Sequence, residues 1–271
     1  MFDAATFGPP RTVRQISGGR DGWVAASPDQ ARVLYASDPA SGALLAVDAS
    51  GAAAQAGPDI LPLHGSAMLS QPDGVAVDGS GECADVTDFG ADSVSVLRTG
   101  SGLLPPPLPA GAGPSAVAVS PADNAVYVTD ATSGRVTTLD PVTGSIIDTT
   151  TLAAGSKPAG IVASTACQCL YVSELGLDKV VVLDAATMET RAAIAVGKEP
   201  LGMALSPDES RLYVANMGSD TVSVINTATN QVAATVQVGP SPRGVAVDPP
   251  TALDSAGPWP APATGLTLPV R

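Results

Sequence analysis

Residues 200–239 read PLGMALSPDESRLYVANMGSDTVSVINTATNQVAATVQVG. Pro200-Leu201-Gly202 has the composition of a turn, because proline fixes one φ and glycine permits a positive one. MALS follows as a short apolar inner strand, Ser206–Ser210 as a second turn and RLYVAN as a second strand. Met217–Asp220 turns the chain again. In TVSVIN, Val222 and Val224 fall on one face and Ser223 on the other, the period of two that marks a strand. Thr227–Asn230 then leads into QVAATVQV. Four short strands joined by tight turns make one propeller blade.

The same pattern extends upstream. Tyr35, Tyr127 and Tyr171 hold the place of Tyr213, and Asp85 fills it in one further copy. The steps between these five positions are 50, 42, 44 and 42 residues, the period of propeller blades. The opening turn recurs as Pro72-Asp73-Gly74, Pro114-Ser115-Ala116, Pro158-Ala159-Gly160 and Pro242-Arg243-Gly244, with Asp21-Gly22 opening the first copy. Where Ala116 replaces glycine, that turn is expected to avoid a positive φ. Inner strands therefore begin near Gly22, Gly74, Ala116, Gly160, Gly202 and Gly244. Third strands recur as ALLAVD, SVSVLR, RVTTLD and KVVVLD, and no stretch reads as a helix. The expected fold is an all-β propeller of four-stranded antiparallel blades, five full and a partial or composite sixth. It forms a single domain over 1–271, with a closing segment (1–19), the repeats (20–249) and a Pro-rich tail (250–271). Pairing of GVAVD, the tail strand GLTLPV and the N-terminal TVRQIS would close the ring and remove exposed edges. The alternative is a truncated seven-bladed ring.

Tyr127-Val128-Thr129-Asp130, Tyr171-Val172-Ser173-Glu174 and Tyr213-Val214-Ala215-Asn216, with the flanking GSDTVSVINTATNQVAATVQVG, resemble the YVTN-type β-propeller repeat family over about residues 18–249. The resemblance implies a propeller that serves as a surface-layer protein, a binding scaffold or, occasionally, an enzyme domain. Such proteins are often exported, so an extracytoplasmic location is implied. The opening MFDAATFGPPRTVRQISGG nevertheless lacks the basic start and apolar centre of a secretion signal.

Composition narrows the function classes. The chain has 271 residues, 45% apolar but only 3% aromatic, so its core is built from Val, Ala, Leu and Ile. Gly 28 and Pro 25 recur at fixed places, which argues for turns rather than disorder. A net charge of −13 without any Lys/Arg cluster argues against nucleic acid and favours cations or basic partners. No run of 18 apolar residues is present, so no membrane-spanning helix is expected, and a monomer is. Cys83 and Cys169 share a column in non-adjacent blades and are out of disulfide range. Cys167 and Cys169 form a C-x-C that is a poor metal site without further ligands. All three cysteines read as small buried hydrophobes.

In an antiparallel blade alternate turns lie at one end. The second-strand ends, Asp38, Asp88, Asp130, Glu174 and Asn216, would then ring one mouth of the channel. Converging oxygens suit Ca²⁺ or a basic ligand. A simpler reading is that Asp and Asn side chains cap nearby backbone N–H groups where strands turn. Arg20, Lys157, Lys198 and Arg243 lie on the same face and could pair with these acids. Asp48, Asp140, Asp184 and Asn226 end the third strands on the opposite face and read as turn chemistry. The insertion at 51–70 holds the one histidine, His64. Insertions in repeat arrays often mark the binding side, but a lone histidine is more often a surface or packed residue than a ligand.

One histidine excludes multi-His metal centres, and a triad through His64 would lack its GxSxG. Neither a P-loop nor a GxGxxG on a strand–helix turn is present. The expectation is a non-catalytic binding or scaffold propeller of the surface or periplasmic type. Its unknown protein or small ligand would sit at the channel mouth, with no cofactor beyond a possible Ca²⁺. One alternative is a calcium-dependent lactonase-like or lyase-like propeller. Such lactonases place Glu, Asp and Asn around a metal at the mouth, whereas the column here holds a single Glu and the lyases' catalytic histidine has no clear counterpart. Another is a subunit of a quinone-cofactor dehydrogenase, which rests on fold analogy alone and gains nothing from Trp23 or Trp259.

Overall fold

The computed structural model describes residues 23–26, 33–48, 69–99, 106–120, 122, 124–140 and 143–247. The N-terminal closing segment with Arg20 and Gly22, His64 with nearly all of its insertion, and the tail strand lie outside the described residues.

Five antiparallel meanders follow one another. Blade 1 holds β1 (Val24–Ala26), β2 (Val33–Asp38) and β3 (Ala43–Asp48). Blade 2 holds β4 (Pro72–Val77), β5 (Cys83–Asp88), β6 (Ser93–Arg98) and β7 (Leu108–Pro109). Blade 3 holds β8 (Pro114–Val119), β9 (Val126–Asp130), β10 (Arg135–Leu139) and β11 (Ile146–Thr151). Blade 4 holds β12 (Pro158–Ser164), β13 (Cys169–Glu174), β14 (Lys179–Asp184) and β15 (Thr190–Ala195). Blade 5 holds β16 (Pro200–Leu205), β17 (Arg211–Asn216), β18 (Thr221–Asn226) and β19 (Gln231–Gln237). The inner strands β1, β4, β8, β12 and β16 stand side by side in chain order, and no helix occurs among the described residues. This is the propeller that the period of the tyrosine column implies.

At four places Pro-x-Gly, or Pro-Ser-Ala in blade 3, is not a turn, as its composition suggested, but the start of an inner strand: β4, β8, β12 and β16. The positive φ belongs to the residue before the proline: Gln71 (60°), Gly113 (65°), Lys157 (45°), Glu199 (51°) and Ser241 (51°). The glycines serve close approach instead. A Cβ on Gly74 would stand 2.6 Å from Ser115 O, and one on Gly202 would stand 2.5 Å from Arg243 O. Each motif forms a β-bulge. Pro72 pairs with Asp88 but Val75 with Val86, and the same slip recurs at Pro114/Val117, Pro158/Ile161 and Pro200/Met203. The extra residue leaves the glycine amide off the ladder and re-aims the x side chain.

That stranded amide explains the hydroxyl column Ser37, Thr87, Thr129 and Ser173. Thr87 Oγ1 accepts from Gly74 N at 2.7 Å, Thr129 Oγ1 from Ala116 N at 2.9 Å and Ser173 Oγ from Gly160 N at 2.7 Å. Each hydroxyl then donates into the next blade: Ser37 to Asp73 O (2.5 Å), Thr87 to Ser115 O (2.9 Å), Thr129 to Ala159 O (3.3 Å) and Ser173 to Leu201 O (2.8 Å). In blade 5 the column holds Ala215, and Gly202 N donates straight to Arg243 O at 2.9 Å.

The core is a set of seams between blades. Tyr171 packs with Val180, Val182 and Ile194 of its own blade against Met203, Leu212, Val214 and Ile225 of blade 5. Tyr127 likewise meets Ile161, Leu170 and Val172 of blade 4, and Tyr35 meets Val75, Ala84 and Val86 of blade 2. Burying one such ring contributes up to about 3 kcal/mol. Tyr213 is only partly buried, because among the described residues no blade follows it. The expected sixth inner strand is not formed within 242–247, which lies beside β16 without strand geometry. A strand is stable only within a sheet, and no partner strand for 242–247 lies among the described residues.

The cysteines also differ from expectation. Cys167 and Cys169 form a disulfide, with their Cα atoms 5.2 Å apart across the turn into β13. The intervening residue, Gln168, has a φ of 49°, which brings the two Cβ atoms to one side. Cys83 stays a free thiol.

Candidate functional site

The bulges decide where the functional surface lies. The x residues Asp73, Ser115, Ala159, Leu201 and Arg243 all line one axial cavity of about 1250 Å³. Turns after the second strands form its rim, and they are tied to the segments that precede each inner strand. Phe89 N donates to Gln71 O (3.2 Å), Ala131 N to Gly113 O (2.8 Å), Leu175 N to Lys157 O (3.2 Å) and Met217 N to Glu199 O (3.0 Å). The two kinds of turn therefore share a face, as strand alternation requires. Aspartates with positive φ reinforce the rim between blades. Asp92 Oδ1 accepts from Gly113 N (2.8 Å), Asp178 Oδ1 from Glu199 N (2.9 Å) and Asp220 Oδ1 from Ser241 N (2.8 Å).

The cavity is mostly apolar, with Trp23, Phe89 and Leu175 in its wall. Its charged side chains come from different parts of the ring: Asp73 of blade 2, Lys157 before blade 4 and Arg243 after blade 5. Asp73 Oδ2 accepts from Ser115 Oγ at 3.2 Å. Trp23 spans the first and last blades, its ring lying 3.1 Å from where a Cβ on Gly202 would be. A concave, largely apolar site with a few converging polar groups is the usual form of a small-molecule pocket.

The second-strand column takes another place. Asp88, Asp130, Glu174 and Asn216 are buried and each is held within its own blade and the loop that leads into it; Asp38 is half-buried. Asp38 accepts from Ala40 N (3.1 Å) and Ser41 Oγ (2.6 Å), Asp88 from Ser70 N (2.7 Å) and Asp130 from Thr137 Oγ1 (2.6 Å). Glu174 pairs with Lys179 at 3.0 Å, and Asn216 Nδ2 donates to Ser223 Oγ at 2.9 Å. A Cβ on Gly111 would strike Asp130, and one on Gly197 would stand 2.6 Å from Asn216 Cγ, so loops cover these two side chains. Burial pushes the Asp130 carboxyl up to about 6 against the opposing bonds from Thr137 and Gly111. Burial also raises Asp88 against its bond from Ser70. These residues do not converge, and no group of three or more His, Cys, Asp or Glu among the described residues could hold a metal ion. The five positions therefore do not fit a shared Ca²⁺.

Of the basic residues placed on this face, Lys157 and Arg243 reach the cavity and Lys198 does not line it. On the opposite face the third-strand ends cap turns: Asp140 accepts from Thr143 N (3.0 Å), Asp184 from Thr187 N (2.8 Å) and Asn226 from Ala228 N (3.0 Å). The cavity residues were legible in the sequence as the one varied position inside a fixed frame, the x of Pro-x-Gly. Read as a turn, the motif gave that position no direction.

A family model described as Lactonase, 7-bladed beta-propeller matches residues 11–249. The chain belongs to this lactonase family. The YVTN-type resemblance thus stands at the coarser level of a β-propeller repeat. No curated protein sequence matches this lactonase-family chain. Among solved structures it is similar to virginiamycin B lyase from Staphylococcus aureus, with 12% identity, a TM-score of 0.67 and coverage of 82% of this chain and 73% of that one. It is also similar to a protein from Bacteroides uniformis described as a 6-phosphogluconolactonase, with 18% identity, a TM-score of 0.61 and coverage of 78% and 69%. Hydrazine synthase of Kuenenia stuttgartiensis gives 23% identity, a TM-score of 0.58 and coverage of 65% and 52%, so the chain spans about half the length of that protein. At these identities the likeness shows the fold alone.

Proposed function

We propose that this lactonase-family propeller binds a small lactone, or the hydroxy acid to which a lactone opens, in its axial cavity. One observation carries the reading: the x positions of the Pro-x-Gly motifs bring Asp73 and Arg243 into one largely apolar pocket that Lys157 also lines. The cations suit a carboxylate or a polarised carbonyl, Asp73 suits a hydroxyl, and Trp23 and Phe89 suit the apolar face of a sugar-like ring. A binding-scaffold role, as in the YVTN-type resemblance, is served by the same pocket. Gluconolactone and gluconate test it by thermal shift. Each is expected to raise Tm in a saturable way, and Arg243→Ala to weaken the effect. A flat response to both removes the reading.

Hydrolysis is the second reading, favoured by the family match and by a carboxylate that shares its cavity with two cations. A water oxygen would attack the lactone carbonyl carbon while Asp73 takes its proton. Lys157 and Arg243 would stabilise the oxyanion that forms. The ring C–O bond then breaks, and the proton passes to the departing alkoxide, leaving the hydroxy acid. Proton release from gluconolactone above the spontaneous rate, reduced at least about tenfold in Asp73→Asn, supports it. A rate equal to buffer alone leaves a binding protein. Including a chelator in one arm tests calcium, and loss of activity there would show a metal site beyond the described residues.

A further inference from the structure

We propose that the ligand is an amphiphile, a lactone whose ring bears an apolar arm, and that blades 4 and 5 form the wall on which the arm lies. This inference rests on the lactone reading of the cavity and adds the class of lactone. The cavity holds about 1250 Å³, above the roughly 300–1,000 Å³ that encloses a drug-sized ligand. A bare sugar-like ring would leave most of it to water.

The side chains around the cavity are sorted by polarity. The x positions of successive Pro-x-Gly motifs read Asp73, Ser115, Ala159, Leu201 and Arg243, and all five line the cavity. The polar pair stands on blades 2 and 3, where Ser115 Oγ donates to Asp73 Oδ2 at 3.2 Å. The apolar pair stands on blades 4 and 5. Because the inner strands stand side by side in chain order, the two pairs occupy different sectors of one cavity. The geometry lays the lactone ring over Asp73 and Ser115 and sends its arm across Ala159 toward Leu201.

Further apolar side chains gather in that sector without serving the fold. Trp23 is anchored in blade 1, its N donating to Ser37 Oγ at 2.9 Å and its O accepting from Ser37 N at 3.0 Å. Its ring nevertheless reaches blade 5, 3.1 Å from where a Cβ on Gly202 would be, and Gly244 Cα stands 2.9 Å from the same point. Val24, Leu175, Leu201 and Val245 line the cavity and are half-buried or exposed, Val24 at 59%. None of the four belongs to the hydrophobic clusters that join the blades among the described residues. Single exposed apolar residues are ordinary, but a group of them gathered in a concavity marks a binding surface. The backbone holds this wall in place. Leu175 N donates to Lys157 O at 3.2 Å, and Leu201 O accepts from Ser173 Oγ at 2.8 Å. An arm therefore meets a preformed surface, which lowers the entropy lost on binding.

Calorimetric titration of the full chain with γ-butyrolactone, γ-hexalactone, γ-octalactone and γ-decalactone tests this, because the series lengthens the arm and keeps the ring. Affinity is expected to rise along it, by up to about fourfold for each CH₂ that leaves water. Leu201→Asn should weaken γ-decalactone about tenfold more than it weakens γ-butyrolactone, and Leu201→Met, equally apolar, should keep the trend. Equal affinity across the series overturns the proposal and leaves the lactone reading standing. A trend that survives both Leu201→Asn and Leu175→Asn also overturns it, because the arm then lies elsewhere. Hexan-1-ol carries the arm of γ-decalactone without its ring. If it binds as tightly as γ-decalactone, the apolar wall stands and the lactone reading falls. If nothing in the series binds, both fall.

Discussion

Thr87 Oγ1 donates to the carbonyl of Ser115 at 2.9 Å, and that bond crosses from blade 2 to blade 3. The same hydroxyl accepts from Gly74 N at 2.7 Å, the amide that the bulge leaves unpaired. One side chain thus repairs the bulge and links the blades, while the bulge turns Asp73 into the cavity. Structure and site are consequences of one local irregularity, repeated around the axis.

Replacing Thr87 or Thr129 by valine keeps the shape and removes the hydroxyl. A buried amide and a neighbouring carbonyl each lose a partner, so the expected cost is about 1–3 kcal/mol per substitution in urea unfolding. A change below about 0.5 kcal/mol, the size typical of surface substitutions, would show that the belt is ornamental.

The tyrosine column predicts unequal costs. Tyr171 is 1% exposed and wedged against blade 5, whereas Tyr213 is partly exposed. Tyr171→Ala should cost about 3–5 kcal/mol, the range for deleting a buried aromatic ring, and Tyr213→Ala clearly less. Equal losses would mean that a further blade covers Tyr213.

Asp85 replaces tyrosine in blade 2 and is 3% exposed. Burial, and then the charge of Asp78, push its carboxyl up to about 7. Between about pH 4 and 7 the native state therefore binds more protons than the unfolded chain, so stability falls as pH rises through that window. Asp130, raised to about 6 by burial, acts with the same sign. For Asp85 the loss is on the order of 4 kcal/mol when complete. Asp85→Asn should flatten the decline in Tm between pH 5 and 8. An unchanged slope would place the titrating group elsewhere.

Glu209 clamps blade 5 to blade 4 at the other end of the molecule. It accepts from Ser164 Oγ (2.5 Å), Thr165 Oγ1 (2.7 Å) and Ala166 N (2.9 Å). Burial raises its carboxyl, but these bonds outweigh that and leave it lowered. Its contribution is present above the ordinary glutamate range and fades as pH falls through the lowered value. Glu209→Ala should cost about 2 kcal/mol at pH 7 by denaturant unfolding, and less in strong acid. Equal cost at both pH values would remove the ionic share.

Cysteine labelling checks the redox assignment. One of three thiols is free, so unreduced, denatured protein should take up a single alkylating group, at Cys83. In the native protein that reaction should be slow, because burial and then the charge of Asp78 raise the thiol's pKa. Three labels would rule out the Cys167–Cys169 bond.

By itself the sequence determined the period, most of the strands and the five repeated blades. Those follow from alternation within TVSVIN and from the spacing of Tyr35, Asp85, Tyr127, Tyr171 and Tyr213, which are properties of neighbouring residues. Direction was another matter. The acid column from Asp38 to Asn216 was visible as a pattern, yet only packing showed that Gly111 covers Asp130 and Gly197 covers Asn216. Asp73 and Arg243 stood at a recurring place, the x of Pro-x-Gly, but nothing in that frame said they face the cavity, because their direction depends on a bulge and on a segment packed against another blade. Local hydrogen-bonding and hydrophobic preferences are written in short windows of chain. Which side chain meets the channel is fixed only when five separate strands are brought round one axis.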